Sequence, residues 1–429
     1  MNITIVGTGY QGLVVATCLA EHGHQIVCVD KKPERIAELS AGRLPIHEPG
    51  LEELVARNLE EERLSFSTEL GPAVAQSLTV FLCVGLRESV QRGREACEAI
   101  AKAMDGYRII VNKSACPPGT ADELEEVIRA NTTHPFDLVV NPDFLKEGSA
   151  IDDFMRPDRI VIGCADVRVR EMMRELFSPF LRTGKPFLFM DKRSAEMTKF
   201  AVNVMLASRI STMNQIADVC EAYGVDISSV REGVAADDRI GSTFLFPGLG
   251  FGGSGLNKDL ATCIQMAHDK KIGCDLLEAI DQVNQRRRTQ FLSRILDYYG
   301  PDMAQKRIGL WGASFKPRTD DLRGAPSLEI IEGLCNAGAQ VAVYDPVAGE
   351  RLRELFGTKI TVCAKYYQAL EQADGLVILT EWNEFRRPSY DRMAELMRER
   401  VIFDGRNLYT PSVMKDLGFR YFSIGRPAV

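Results

Sequence analysis

Apolar residues in the first thirty positions fall into two short β-branched runs with a helical period between them. Ile3-Thr-Ile-Val6 precedes Gly-Thr-Gly-Tyr-Gln-Gly12. The helical pattern Leu13 to His22 follows, and Gln25-Ile-Val-Cys-Val29 ends at Asp30. This predicts a strand–turn–helix–strand unit. Further continuous apolar runs at Thr79–Val84, Arg108–Val111, Leu138–Val140 and Arg159–Ile162 read as buried strands. Strands alternating with helices imply a mostly parallel sheet covered on both faces. From Ser194 to about Tyr223 the period is helical, with Met197, Phe200, Ala201, Val204, Met205, Ile210, Met213, Ile216 and Val219 at three- and four-residue steps. A helix of that length between α/β segments is expected to be a spine joining domains and a dimerisation surface. A second helical stretch is expected from Asp259 to about Tyr299.

The chain then repeats itself. Gly338-Ala-Gln-Val-Ala-Val-Tyr-Asp345 resembles Gly23-His-Gln-Ile-Val-Cys-Val-Asp30, and each follows a strand with glycine at its end, Ile308-Gly-Leu-Trp-Gly312 and Ile3–Gly7. With strands at Gly375–Leu379 and Val401–Phe403, the expected fold is α/β: two doubly wound Rossmann-like domains joined by a long central helix and a helical dimerisation domain. The boundaries expected are 1–193, 194–300 and 301–429. A chain of 429 residues is too long for one core.

Composition narrows the partners. A formal charge of -7 argues against nucleic acid, which wants a basic face. No apolar run approaches the ~20 residues of a membrane span. The eleven cysteines are dispersed without a CxxC pair, which fits reduced thiols in a cytoplasmic protein. The five histidines show no ligand spacing, so no metal is expected.

Gly7-x-Gly9-x-x-Gly12 uses its glycines for a tight turn, for approach of backbone to a pyrophosphate, and for helix–strand packing. Asp30 ends the next strand, where it accepts hydrogen bonds from a ribose 2′-hydroxyl and repels a 2′-phosphate. The cofactor expected is NAD. Lys31 and Lys32 either soften that preference or are solvated surface charges.

Gly250-Phe-Gly-Gly-Ser-Gly-Leu-Asn-Lys-Asp259 resembles the catalytic loop of the UDP-glucose/GDP-mannose dehydrogenases, G-F-G-G-S-C-(F/L)-P-K-D. Other runs resemble that family too: Asn141-Pro-Asp-Phe-Leu-Lys-Glu-Gly148, Pro157–Gly163, Lys199-x-x-x-Asn203, Asp238-Arg-Ile-Gly241, Phe315–Arg323, Tyr344-Asp-Pro346, Glu381-Trp382 and Asp404-Gly-Arg-Asn407. The family oxidises the C6 hydroxyl of a nucleotide sugar to a carboxylate in two hydride transfers. The resemblance implies a homodimer whose ligands are NAD and a small nucleotide sugar.

By that resemblance, Lys199 and Asn203 stabilise a developing alkoxide from one helix face. Asp259 handles a proton or water, although alone it reads as a helix cap. Glu147 assists with water or the transferred proton. Cofactor contacts are expected from Gly7, Gly9, Tyr10, Gln11, Gly12, Asp30, Lys31 and Arg35. Val84, Gly85, Ser114, Glu147, Lys258 and Arg323 complete that set. Arg323 reads equally as a salt bridge to Asp320 or Asp321. Substrate contacts are expected from Phe144, Leu145, Lys146, Lys199, Asn203, Gly250, Phe251, Gly252 and Gly255. Phe246 joins them, with Phe315, Lys316 and Arg406 from the second α/β domain, and Arg239 reaches into a neighbouring subunit.

The chain departs from the family pattern where chemistry is expected. Gly255 replaces the nucleophilic cysteine, Ala115 the water-positioning threonine, and Asp143 a glutamate. Leu86-Arg87 stands for Thr-Pro, and Leu256-Asn257 alters the loop. Alcohol to aldehyde needs a base, oxyanion donors and a hydride acceptor. Aldehyde to acid runs through a covalent thiol adduct whose tetrahedral carbon offers a hydride; a hydrated aldehyde could substitute, without the thiolate's nucleophilicity or the positioning threonine. Cys116 and Cys263 read as buried core thiols or as displaced nucleophiles. Three functions follow: a nucleotide-sugar 6-dehydrogenase impaired in its second oxidation, a dehydrogenase of another nucleotide or nucleoside alcohol, or a silent ligand-binding paralogue.

Overall fold

A computed structural model describes residues 1–86, 89–181 and 184–429. Arg87, one of the departures from the family pattern, lies outside the described residues. The contacts divide the chain into two compact units, Met1–Ala201 and Val202–Val429.

The first unit is built on β1 (Asn2–Val6), β2 (Gln25–Val29), β3 (Leu64–Ser67), β4 (Thr79–Leu82), β5 (Arg108–Asn112), β6 (Phe136–Val140), β7 (Ile160–Gly163) and β8 (Phe187–Met190). They lie in the order β3-β2-β1-β4-β5-β6-β7-β8. Every neighbouring pair is parallel except β6 with β7, which meet antiparallel at Val140 and Gly163. β4 and β5 are buried at every residue, which is why their sequences are apolar runs without alternation.

The second unit carries β9 (Arg307–Trp311), β10 (Gln340–Tyr344), β11 (Thr361–Val362), β12 (Gly375–Ile378), β13 (Val401–Asp404) and β14 (Arg420–Ser423). All are parallel, in the order β11-β10-β9-β12-β13-β14. The first six strands of each unit therefore share one doubly wound order.

The internal repeat extends to the atoms at the strand ends. Gly7 (φ +102) and Gly312 (φ +84) turn the chain out of β1 and β9 in the left-handed region. Beyond Gly7, Thr8 donates to Asp30 through its N–H (3.1 Å) and hydroxyl (2.8 Å). Beyond Gly312, Ala313 N–H (2.8 Å), Ser314 N–H (3.0 Å) and Ser314 Oγ (3.0 Å) converge on one oxygen of Asp345. Trp382 Nε1 (3.4 Å) reaches the same oxygen, while Val347 and Ala348 N–H bond the other at 3.0 and 2.9 Å.

The spine forms as one helix, Lys192–Ala222. The second helical stretch does not. It is two helices, Leu256–Asp269 and Asp275–Tyr299, parted by a turn with Lys271 at φ +55. Both halves share the helical period, so periodicity alone conceals the break. Within the second unit, Met213, Ala217 and Cys220 of the spine join Phe291 and Ile295 in a core with Leu310, Val343 and Phe403. Burial of a side chain such as Phe291 contributes about 1.5–3 kcal/mol. That packing fixes the helix whose inward face also carries Asn284 and Arg288.

Candidate active site

In the first unit the three glycines differ in what holds them. A Cβ on Gly12 would lie 1.9 Å from the Gly7 carbonyl oxygen, so glycine is obligatory there. A Cβ on Gly9 would meet nothing within 4 Å. The chain leaves that space open at the start of the helix Tyr10–Glu21, which has no side-chain cap and no acid in its first turn. The helix N-terminus thus presents backbone N–H groups and a positive dipole end to an anion. These residues fit the NAD pyrophosphate. Burial opposes ionisation of Asp30, but hydrogen bonds from Thr8 and the Lys32 N–H, with Arg35 at 3.5 Å, hold its carboxyl below the usual range. Lys31 is exposed.

Gln11 is the centre of the next layer. Its Nε2 donates to the Lys113 carbonyl (2.8 Å) and to Asp143 Oδ2 (2.7 Å). Ser114 Oγ donates to the Val84 carbonyl at 2.5 Å, which draws the Val84–Gly85 turn to the same place. The other oxygen of Asp143 lies 3.3 Å from Lys199 Nζ. Lys113 is buried and donates to Asn141 at 3.0 Å; burial lowers its ammonium pKa against the pull of Asp143. Phe144 lies under Arg159, 3.5 Å from its ring centroid, with Lys199 at 5.5 Å. Leu145 packs on the core, and Lys146 pairs with Asp153 at 2.8 Å. Glu147 lies close enough to act electrostatically on Tyr10.

Glu48 is a residue the sequence reading missed. It is buried, accepts the Tyr10 hydroxyl, and takes the N–H of Gly148 (2.6 Å) and Ala150 (2.8 Å). It therefore ties the pyrophosphate turn to the Glu147 loop. One departure, Leu86, is core packing: it fills the space above Gly93, whose Cβ would lie 2.0 Å from the Leu86 side chain.

In the second unit the glycine-rich loop is clamped from two sides. Gly250 has φ +93, and a Cβ there would lie 2.3 Å from Asn284 Oδ1. Asn284 accepts from the Phe251 N–H (2.8 Å) and donates to the Phe251 carbonyl (3.1 Å), which Arg288 also reaches (2.8 Å). Gly252 and Gly253 lie flat on Phe315, with Cβ positions 2.9 and 2.7 Å from its side chain. Neither Asn284 nor Arg288 was expected; the available signal was polar residues on the stripe of Ile280, Phe291 and Ile295.

Gly255 opens the helix Leu256–Asp269 with φ -78 and ψ -77. It is exposed, and an added Cβ would meet nothing within 4 Å. Steric crowding does not require glycine here. One turn into the helix, Asp259 is fully buried and accepts from Asn203 Nδ2, and Lys258 beside it is half-buried. Cys263 stands eight residues beyond Gly255, about 12 Å along the axis. Burial, helped by Asp259, pushes its thiol up to about 11. In the first unit Cys116 is buried between Asn112 (3.3 Å) and Glu196 (3.5 Å), and burial raises its pKa further. Neither is a ready thiolate at neutral pH.

Arg406 donates to the Leu379 carbonyl (2.7 Å) and reaches the Phe315 carbonyl at 3.4 Å. Lys316 Nζ is 5.6 Å from the Phe315 ring centroid. Arg323 bridges Asp321 at 2.7 Å, whereas Asp320 pairs with Arg351 at 2.9 Å. The Arg239 side chain is 88% exposed and bonded to Asp237, and Phe246 is exposed beneath Arg231.

Three family models match the chain: the UDP-glucose/GDP-mannose dehydrogenase family NAD binding domain over residues 1–181, the central domain over 193–286 and the UDP binding domain over 309–411. The UDP-glucose 6-dehydrogenase of Rhizobium meliloti is 41% identical, covering 100% of both chains. That of Pseudomonas aeruginosa is 40% identical over 100% of this chain and 98% of its own. The solved UDP-glucose dehydrogenase of Pyrobaculum islandicum superposes with a TM-score of 0.87 at 33% identity, covering 94% of each chain.

Proposed function

This chain belongs to the UDP-glucose/GDP-mannose dehydrogenase family, and from that premise we propose that it oxidises the C6 alcohol of a UDP-hexose and releases the aldehyde or its hydrate. It is an NAD-dependent oxidoreductase of nucleotide sugars; stopping after one oxidation is what distinguishes the reading. NAD supplies the hydride acceptor. Gly7 to Gly12 and Asp30 would hold it.

The chain's own groups handle charge and the proton. Lys199 and Asn203, one turn apart on the spine, would share the alkoxide oxygen, an ammonium and a carboxamide stabilising charge as it develops. Asp259 would take the hydroxyl proton while its bond from Asn203 keeps both aligned. Glu147 would orient water. Lys258 and Arg323 would face the cofactor, and Phe315, Lys316 and Arg406 the nucleotide.

The observation that carries the single-oxidation reading is Gly255: an open, unhindered position with no sulfur to form the thiohemiacetal. The test is product analysis with NADH counting on UDP-glucose. One NADH per sugar with an aldehyde trapped by a hydrazine supports the reading; two NADH with stoichiometric uronic acid overturns it.

The same reading keeps three functional parts, 1–193 for the cofactor, 194–300 for the loop and pairing, and 301–429 for the nucleotide. A homodimer is supported by Met205 and Val219, which are 64 and 53% exposed and fall on one face of the spine, with Tyr223, 82% exposed, in the turn just past its end. Arg239 would then serve the neighbouring subunit, which accounts for its exposure. A cytoplasmic setting is in keeping with eleven free thiols.

A further inference from the structure

Three side chains bearing metal-binding donors meet where the helix Leu256–Asp269 hands over to the helix Asp275–Tyr299. His268 lies in the last turn of the first helix, Cys274 at the N-cap of the second, and Glu278 one turn further on. Their ligand atoms all lie within 4.8 Å of one another. His268 Nε2 is 2.8 Å from Glu278 Oε1, and Cys274 Sγ donates to the same oxygen at 3.5 Å. The dehydrogenase chemistry uses none of the three.

A hydrogen-bonded cluster of this kind is what a cation site looks like when protons fill it. The contacts made by the imidazole and thiol are ones a divalent cation can take over, with release of the thiol proton and any imidazolium proton. One nitrogen, one sulfur and one oxygen form a borderline-soft donor set, suited to Zn²⁺ and not to Mg²⁺ or Ca²⁺. Three protein ligands leave one tetrahedral position for water. Their linear spacing gave no ligand pattern because the stretch reads as one continuous helix. The turn at residues 270–274 brings the donors together.

We propose that His268, Cys274 and Glu278 form a Zn²⁺ site that staples these two helices. The location gives the staple a purpose. The first helix carries Gly255 and Asp259 at its start, and the second carries Asn284 and Arg288, which hold Phe251. A cross-link at the turn stiffens both supports of the loop without touching substrate.

The test uses the full chain, stripped with a chelator and titrated with Co²⁺ and then Zn²⁺ alone. One equivalent should bind, with a near-ultraviolet thiolate-to-cobalt band that Zn²⁺ abolishes, and the melting temperature should rise. Cys274→Ser should remove the band and weaken Zn²⁺ binding by more than about 100-fold, the upper end for loss of a mere outer-shell partner. His268→Gln, at an exposed side chain, should weaken binding likewise and leave the metal-free melting temperature unchanged, which covers the case of a Cys274→Ser chain that does not fold. No band in the intact chain, a band that survives Cys274→Ser, or unchanged affinity in His268→Gln overturns the proposal.

Discussion

Restoring sulfur at position 255 should restore the second oxidation, and the structure sets what the substitution costs. Gly255 sits at φ -78, outside the left-handed region, and its Cβ position is open to 4 Å. Gly255→Cys therefore introduces neither backbone strain nor overlap. Losing a glycine's freedom in the unfolded chain stabilises by about 0.4–1 kcal/mol, and a poorer N-cap residue offsets a few tenths. The net change stays within about 1 kcal/mol, or within about 4 °C in melting temperature for a unit of this size. The new thiol stands at a helix N-terminus, which lowers its pKa, against the opposing charge of Asp259. NADH released per UDP-glucose should rise from one to two, uronic acid should replace aldehyde, and intact-mass spectra should show a covalent sugar adduct. Adding Ala115→Thr should speed the release of that adduct. A folded Gly255→Cys chain that still oxidises the alcohol, stops at one NADH and carries no adduct refutes the claim that the missing sulfur limits the chemistry.

Gly9 and Gly12 should separate by assay: Gly9→Ala keeps the melting temperature but weakens NAD binding measured by calorimetry, whereas Gly12→Ala, 1.9 Å from a carbonyl oxygen, destabilises by about 3 kcal/mol. Asn284→Ala strips two bonds from the Phe251 backbone and should cost about 2–4 kcal/mol by denaturant unfolding; kcat should fall with NAD affinity unchanged, and loss of NAD binding would contradict the clamp. Asp30→Ala loses a charge-assisted bond to the ribose, about 1.5–3 kcal/mol, so the preference for NAD over NADP should fall at least about tenfold. Because Asp30's folded pKa lies below the ordinary value of 3.8, its contribution is fully present above that pH and is lost as pH falls through the folded pKa. A preference that fades well above pH 3.8 contradicts the assignment.

What the sequence disclosed was chemistry set by local stereochemistry. Gly7 to Gly12 and Asp30 are legible because a turn, a helix start and a strand end impose residue types within a few positions. The repeat ending at Asp345 is legible for the same reason. Buried strands such as β4 and β5 announce themselves as apolar runs, whereas β3, Leu64-Ser-Phe-Ser67, alternates over too few residues to stand out. Glu48, Asn284 and Arg288 were missed because each serves backbone groups 33 or more residues away, and sequence spacing carries no trace of such a partner. The break at residues 270–274 was missed because the apolar stripe resumes in helical period after it.

The two aspartates that close the paired strand corners have diverged in availability. A carboxylate offers about four lone-pair directions. Asp345 already answers six donors, so a hydroxyl arriving there finds nothing left to accept it. Asp30 accepts three hydrogen bonds, from the Thr8 N–H and hydroxyl and the Lys32 N–H, with Arg35 beside it, which leaves about one direction of that count. Two corners on the same doubly wound strand order thus differ, the second being a rivet, and a nucleotide hydroxyl approaching the second sheet would have to be met elsewhere along its edge.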